Sequence, residues 1–311
     1  MIRLSSRQPL PEAMRGAIIA LGNFDGFHLG HQAVVGEALR WARAEGRPCI
    51  VATFDPHPVE FFAKGSAPFR LSNFDQREAW FAEAGVDAML IFAFDEAMAA
   101  SSAHDWVHGV LGAQLGAGGV VTGEDFTFGK GRSGSVETLR SMGAEIGMGA
   151  RAVGPVMLDG EVVSSSRVRR ALQAGNVAEA ARLLTRPFVL RGQVQHGDKL
   201  GREIGFPTAN LALGDYLRPA YGIYAVTGRL PDGRLLKGAA NIGIRPHFDP
   251  PKELLEPHFF DFSEDLYGQD IEVAFHAFLR AEQKFDSLDA LVAQIGRDCD
   301  EARQILERVQ A

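Results

Sequence analysis

The sequence predicts an open α/β domain over residues 1–185, followed by an antiparallel β-barrel with a C-terminal helix over residues 186–311. Three observations carry this. Short, wholly apolar runs alternate with amphipathic stretches up to about residue 185. After Pro187 the runs become short alternating segments divided by Gly, Pro and Asp. Residues 285–309 then return to helical spacing.

In the first part, AIIALG (17–22), CIVATF (49–54), AMLIFAF (88–94) and GVVTG (119–123) read as buried parallel strands joined by crossover helices. Residues 31–45 show the helical type, with Val34, Val35, Ala38, Leu39 and Ala42 on one face. In the second part, FVLRGQV, YGIYAVTGRL, RLLKGAANIG, EPHFFDF and IEVAFHAFLR fit the strands of a barrel. The final segment places Leu288, Leu291, Val292, Ile295, Ala302, Ile305 and Leu306 at helical spacing, with Asp286 or Ser287 as its cap. Internal repeats and long flexible linkers are not evident, so the two modules are expected close together.

Composition narrows the function. A chain of 311 residues with 46% hydrophobic content suits about two domains, each with its own core. A net charge of −7 excludes a wide basic footprint for nucleic acid or an anionic membrane, so any anionic ligand is expected to be small. Cys49 and Cys299 lie far apart without metal-ligand spacing, which reads as two buried thiols rather than a disulfide or zinc scaffold. The first residues lack an apolar signal-type core, and the chain has no run of ~18 apolar residues, so a cytoplasmic protein is expected.

The segment ALGNFDGFHLGHQ (20–32) joins an apolar strand, a Gly-bearing turn, and His28 and His31 at the mouth of a helix. Ligands of open parallel sheets bind at the C-terminal strand ends, and helix N-termini attract phosphate. Two imidazoles three residues apart can reach one phosphoryl group, and Gly30 keeps the backbone close to it. A lone histidine reads as a satisfied structural residue; the pair directly after a strand reads as a phosphate site. In the second half, HGDKLGREIGFPTAN (196–210) alternates Gly197, Gly201 and Gly205 with Lys199 and Arg202, an arrangement that lets main-chain N–H groups and cations converge on phosphates. Thr208 and Asn210 then offer two neutral oxygens on one face of an extended segment, a donor type that suits Mg²⁺ with ATP phosphates and water. GKGRSG (129–134) matches a dinucleotide fingerprint but does not directly close a strand, and GxxxxGK[ST] is absent.

HxGH after a first strand resembles the adenylyl and cytidylyl transferase signature, and GNFDGFHLGHQ is similar to its form in prokaryotic bifunctional riboflavin kinase/FAD synthetases. TFDPHP (53–58), GEDFTFGKGRSG (123–134) and VSSSRVR (163–169) continue the resemblance through the first module, and HGDKLGREIGFPTAN, YGIYAV, AANIGIRP, FFDFSEDLYGQDIEV and FLRAEQKFDSL through the second. The resemblance implies a Rossmann-like nucleotidyltransferase domain at 1–185 and a riboflavin kinase barrel at 186–311. It implies that riboflavin is phosphorylated to FMN and that FMN is adenylylated to FAD, with ATP and Mg²⁺. His28 and His31 would serve the triphosphate, with Gly22, Asn23, Phe24 and Gly30 beside it. Ser164, Ser165 and Ser166 would donate at a second helix N-terminus, where a plain N-cap is the alternative use, and Arg167 or Arg169 would meet the leaving pyrophosphate. Pro56, His57, Asp125, Phe126, Phe128 and Phe206 would contact flavin, although two nearby phenylalanines also suit a core. The family's base for the ribityl hydroxyl falls on Glu256, just before a strand, with Glu253 close by.

The chain departs from the family at Ser166, where Thr is usual, at His247, where the family often has PTF after NIGxR, and in the proline-rich DPPKELLEP. Two other readings are a nucleotidyltransferase for another phosphate ester with a regulatory flavin-binding barrel, and a flavin sensor without catalysis. Both histidines, PTAN and Glu256 speak for two activities.

Overall fold

The computed structural model describes residues 1–63, 65, 67–197, 201, 204–245 and 252–309. Contacts divide the chain into two compact units, Met1–Ala67 with Phe74–Val163, and Pro68–Asn73 with Ser164–Ala311.

The first unit is built on six parallel strands: β1 (Ile2–Ser5), β2 (Ile18–Leu21), β3 (Cys49–Asp55), β4 (Ala88–Ala93), β5 (Gly119–Gly123) and β6 (Gly149–Val153), in the order β1-β4-β3-β2-β5-β6. The four apolar runs of the sequence are the four central strands. They are apolar throughout because both faces are covered. Ile19 and Leu21 of β2 pack with Trp106, Val107 and Leu111 of a π-helical stretch (Asp105–Gln114), while Ile18 and Ala20 pack with Val34, Val35 and Ala38 of α1 (Leu29–Glu45). The edge strands β1 and β6 were not foreseen, because Arg3, Ser5 and Arg151 interrupt any apolar run there. Helices α2 (Pro58–Phe62), α3 (Phe74–Ala84), α4 (Glu96–Ala100) and α5 (Val136–Glu145), with a small hairpin of β7 (Met157–Leu158) and β8 (Glu161–Val162), complete the unit.

One tertiary contact explains two glycines. The ring of Trp41 on α1 lies over β5 and β6, where a Cβ on Gly119 would stand 2.3 Å from it and one on Gly149 2.7 Å. The guanidinium of Arg151 lies over that ring at 4.0 Å.

In the second unit, β9 (Phe188–Gln195), β10 (Asn210–Ala212), β11 (Gly222–Arg229), β12 (Leu235–Arg245), β13 (Lys252–Phe259) and β14 (Asp270–Ala281) close a barrel in the order β10-β13-β12-β11-β14-β9. Pairing is antiparallel throughout. Helices α6 (Ser165–Gln173) and α7 (Val177–Leu184) group with this unit, as α7 packs on β9 and β14. The contact grouping thus changes units after Val163. Strand β13 begins at Lys252, so Glu256 lies inside it rather than just before it.

Helix α8 (Leu288–Leu306) is capped by Ser287, whose hydroxyl accepts from the Ala290 N–H at 3.2 Å; of the two expected caps, this is the one used. Its Cys299, Ala302 and Leu306 pack against Ala225, Ala239 and Phe260. Arg280 on β14 donates from Nε to Asp298 Oδ1 at 2.9 Å and from Nη2 to Oδ2 at 2.7 Å, which ties α8 to the barrel through a buried carboxylate.

Candidate active sites

In the first unit the chain leaves β2 toward β3 on one side, while β5 flanks β2 on the other. This is the topological switch point, where an open parallel sheet presents its binding crevice. The loop after β2 ends at His28, where α1 begins, and the loop after β5 carries Asp125–Phe128, so two separate motif segments meet at neighbouring strand ends.

The β2 loop is held in an unusual path. Phe24 and Phe27 have φ of 49° and 45°, a region costing of order 1–3 kcal/mol for such residues, and both side chains are buried against Phe81. The carbonyl of Asn23 accepts from Thr53 Oγ1 at 2.9 Å and from Arg77 at 3.2 Å. Its side-chain Oδ1 is buried and has no hydrogen-bond partner among the described residues.

His28 is the N-cap of α1, and its Nδ1 accepts from the His31 N–H at 3.4 Å. The neutral ring therefore carries its proton on Nε2. The two imidazoles stack with centroids 3.7 Å apart, and Phe24 meets His31 edge-on at 5.2 Å. A Cβ on Gly30 would lie 3.2 Å from the His28 ring and 3.3 Å from the Val163 carbonyl, so the glycine makes this packing possible. Gly22 follows β2 and packs beneath Phe24.

The other residues expected around the nucleotide and flavin fall in three groups. Pro56 and His57 follow β3, and His57 caps α2, its Nδ1 accepting from the Val59 N–H at 3.1 Å in a reciprocal pair with Glu60. Asp125 is exposed and Phe126 half-buried, but Phe128 is a core residue, 8% exposed and packed over Gly134. In the second unit Ser164 is the N-cap of α6, accepting from the Arg167 N–H at 3.2 Å, with Ser165 and Ser166 opening the helix. Arg167 is buried in an ion pair with Glu179, and Arg169 donates to the Phe69 carbonyl at 2.9 Å.

A cavity of about 540 Å³ between the barrel and α8 brings Gly197, Gly201, Phe206, Thr208, Asn210 and Glu256 to one wall system, with Leu291, Ile295, Asp298 and Cys299 of α8 also lining it. Lys199, Arg202 and the first part of the 247–257 loop lie outside the described residues. A Cβ on Gly197 would meet the Asn210 amide at 2.4 Å, and one on Gly201 would meet the Phe206 carbonyl at 2.4 Å. Main chain thus presses against the side chain of Asn210, which is 7% exposed.

Glu256 pairs across the ladder with Asn241 of β12, so both side chains stand on the same face, inside the cavity. Glu253, three residues earlier, is on the opposite face of the strand. It accepts from Arg218 Nε at 2.8 Å and from the Tyr221 hydroxyl. Burial raises the Glu253 carboxyl, and the bonds from Tyr221 and Arg218 more than offset this, leaving it below its ordinary value. The two glutamates are thereby separated: Glu253 is an ion-pair residue and Glu256 a cavity residue.

Sequence reasoning missed Asn241, His258, Arg280, Glu282 and Asp298, which also line the cavity. Asn241 Oδ1 is buried with no partner among the described residues, while its amide donates to Glu282 at 3.3 Å. The parity of β13 was available as a signal for His258, two residues beyond Glu256; Asp298 sits among helical positions that pattern alone assigns to packing.

The family model described as FAD synthetase matches residues 10–167, and the one described as riboflavin kinase matches residues 184–306. The bifunctional riboflavin kinase/FMN adenylyltransferase of Escherichia coli K12 is 40% identical over 93% of this chain and 92% of its own length. The protein of that description from Pseudomonas fluorescens is 41% identical over 94% and 93%, and that from Bacillus subtilis 34% over 94% and 93%. A crystal structure from Streptococcus pneumoniae, described as a macrolide-efflux protein, matches all of both chains with a TM-score of 0.86 at 30% identity. No helix among the described residues is long and apolar enough to cross a membrane. Two family models laid end to end and relatives covering nearly the full length place this chain in the bifunctional riboflavin kinase/FMN adenylyltransferase family.

Proposed function

We propose that the chain makes FAD from riboflavin in two ATP-dependent steps, phosphorylation to FMN in the barrel and adenylylation of FMN by the N-terminal module, in the cytoplasm. The observation that carries the reading is the convergence of Thr208, Asn210 and Glu256 in one cavity of the barrel.

In the first step Glu256 accepts the proton of the ribityl 5′-hydroxyl as that oxygen bonds to the γ-phosphorus of ATP and ADP leaves. Phe206 and the apolar cavity wall take the flavin, and Gly197, Lys199, Gly201 and Arg202 take the phosphates. Thr208 and Asn210 fit Mg²⁺: both are neutral oxygen donors on one wall, Gly197 and Gly201 sit where no side chain fits, and ATP and water complete the set. When bound, the ion supplies charge neutralisation on the phosphates.

In the second step an oxygen of the FMN phosphate attacks the α-phosphorus of a second ATP, pyrophosphate leaves, and the enzyme stays chemically unchanged. His28, His31 and the amides at the start of α1 hold and neutralise the phosphates, beside Gly22, Asn23, Phe24 and Gly30. Ser164, Ser165 and Ser166 donate from the start of α6, while Arg167, steadied by Glu179, and Arg169 neutralise the pyrophosphate. Pro56, His57, Asp125 and Phe126 serve the flavin, with Phe128 fixing the loop from within the core.

Purified protein given riboflavin, ATP and Mg²⁺ is expected to form FMN and then FAD on chromatography; formation of neither sinks the reading. Asn210→Ala is expected to stop FMN formation while FMN-to-FAD conversion continues, and His28→Ala combined with His31→Ala to do the reverse.

A further inference from the structure

His258 sits two residues after Glu256 on β13, so the two side chains share a face and line the same cavity. Its Nδ1 lies 2.8 Å from the carbonyl oxygen of Pro207. A carbonyl oxygen only accepts, so Nδ1 carries the proton and donates. That carbonyl belongs to the peptide linking Pro207 to Thr208, and a bond to it fixes the plane from which Thr208 departs. A second tie follows immediately, where the Ala209 N–H donates to the Pro257 carbonyl at 2.9 Å. The ladder then continues as Leu211 opposite Leu255. The imidazole is itself oriented, with Phe206 edge-on at 5.4 Å and Phe260 at 6.0 Å.

We propose that His258 is a positioning residue that latches the 207–210 turn onto the strand carrying Glu256, and so sets the distance between the oxygens of Thr208 and Asn210 and the Glu256 carboxylate. Its part is geometric: it holds the Pro207 carbonyl and exchanges no proton with substrate. Without the latch the turn keeps its ladder bonds beyond Ala209, but the peptide before Thr208 is free to rotate. The loss then falls on the ion and nucleotide more than on flavin. The inference rests on the kinase reading of this cavity.

The test uses the full-length protein and two substitutions. His258→Phe keeps a ring between Phe206 and Phe260 but removes the donor; His258→Asn offers an amide N–H near the position of Nδ1. Mn²⁺ binding in the presence of ADP is followed through the electron paramagnetic resonance signal of the free ion. His258→Phe is expected to weaken it about tenfold, the factor that matches the net worth of one hydrogen bond. His258→Asn is expected to stay within about twofold of the parent if most of that bond is recovered. In kinase assays His258→Phe is expected to raise KM for MgATP with a smaller change in KM for riboflavin. Conversion of added FMN to FAD, with unchanged circular dichroism, reports that the protein is folded.

Parent-like Mn²⁺·ADP binding by His258→Phe overturns the proposal, and so does an equal loss in both variants, which shows that an N–H donor restored at this position does not recover binding. A parent protein that phosphorylates no riboflavin overturns the functional reading instead, and the binding comparison still judges the latch.

Discussion

Glu253 and Glu256 show how environment divides labour between identical side chains on one strand. Glu256→Gln is expected to lower kcat for riboflavin phosphorylation by about 10²–10⁴-fold, the usual range for losing a positioned base, with FMN adenylylation untouched. Glu253→Gln is expected to leave kcat close to that of the parent and to lower the melting temperature instead. The folded-state pKa of Glu253 is depressed, so its stabilisation is present above its ordinary value of 4.5 and is lost as pH falls through the lower folded value. The melting difference between parent and Glu253→Gln should therefore be largest near neutrality and shrink below about pH 4. The cysteines give a second residue-level prediction. Burial pushes the Cys49 thiol up to about 12 and the Cys299 thiol up to about 11. Neither is expected to react with iodoacetamide in the native protein at neutral pH, and both should react in urea, as mass spectrometry would show.

The elements most legible in the sequence were those under the strongest packing demand. Strands β2 to β5 are covered on both faces and read as continuous apolar runs; β1 and β6 are edges that tolerate Arg and Ser, and so left no pattern. The strand–turn–helix path that carries His28 and His31 was equally legible, because a strand, a tight turn and a capped helix follow one another along the chain. The opposite wall of the cavity was not, since Asn241, Arg280 and Asp298 come from β12, β14 and α8 and meet only once the barrel closes and the helix packs on it. Two predictions belong at this scale. Gly119→Ala drives a methyl group into the Trp41 ring and is expected to cost about 1–3 kcal/mol, measured by urea unfolding, with partial relief when combined with Trp41→Phe. Asp298→Ala leaves Arg280 without its bidentate partner in a largely buried setting and is expected to destabilise by about 3 kcal/mol, loosening α8 from the barrel.

At the scale of the molecule, the cavity with Glu256 is made entirely of residues of the second unit, and the stacked histidines belong entirely to the first. A protein carrying Glu256→Gln and another carrying His28→Ala with His31→Ala are each expected to retain one reaction. Mixed in one solution with riboflavin, ATP and Mg²⁺, they should together yield FAD, with FMN crossing between molecules; retention of each half-reaction without FAD would mean that FMN is not released. The closed barrel places a further constraint on how such a protein changes over generations. Each of its strands is clasped on two sides, so β13 has no edge along which to slide. Removing one residue within Lys252–Leu255 would act like a frameshift written in side chains, exchanging the faces on which neighbouring positions stand. Variation in length is therefore channelled into the connections between strands, and the place of Glu256 is inherited through register.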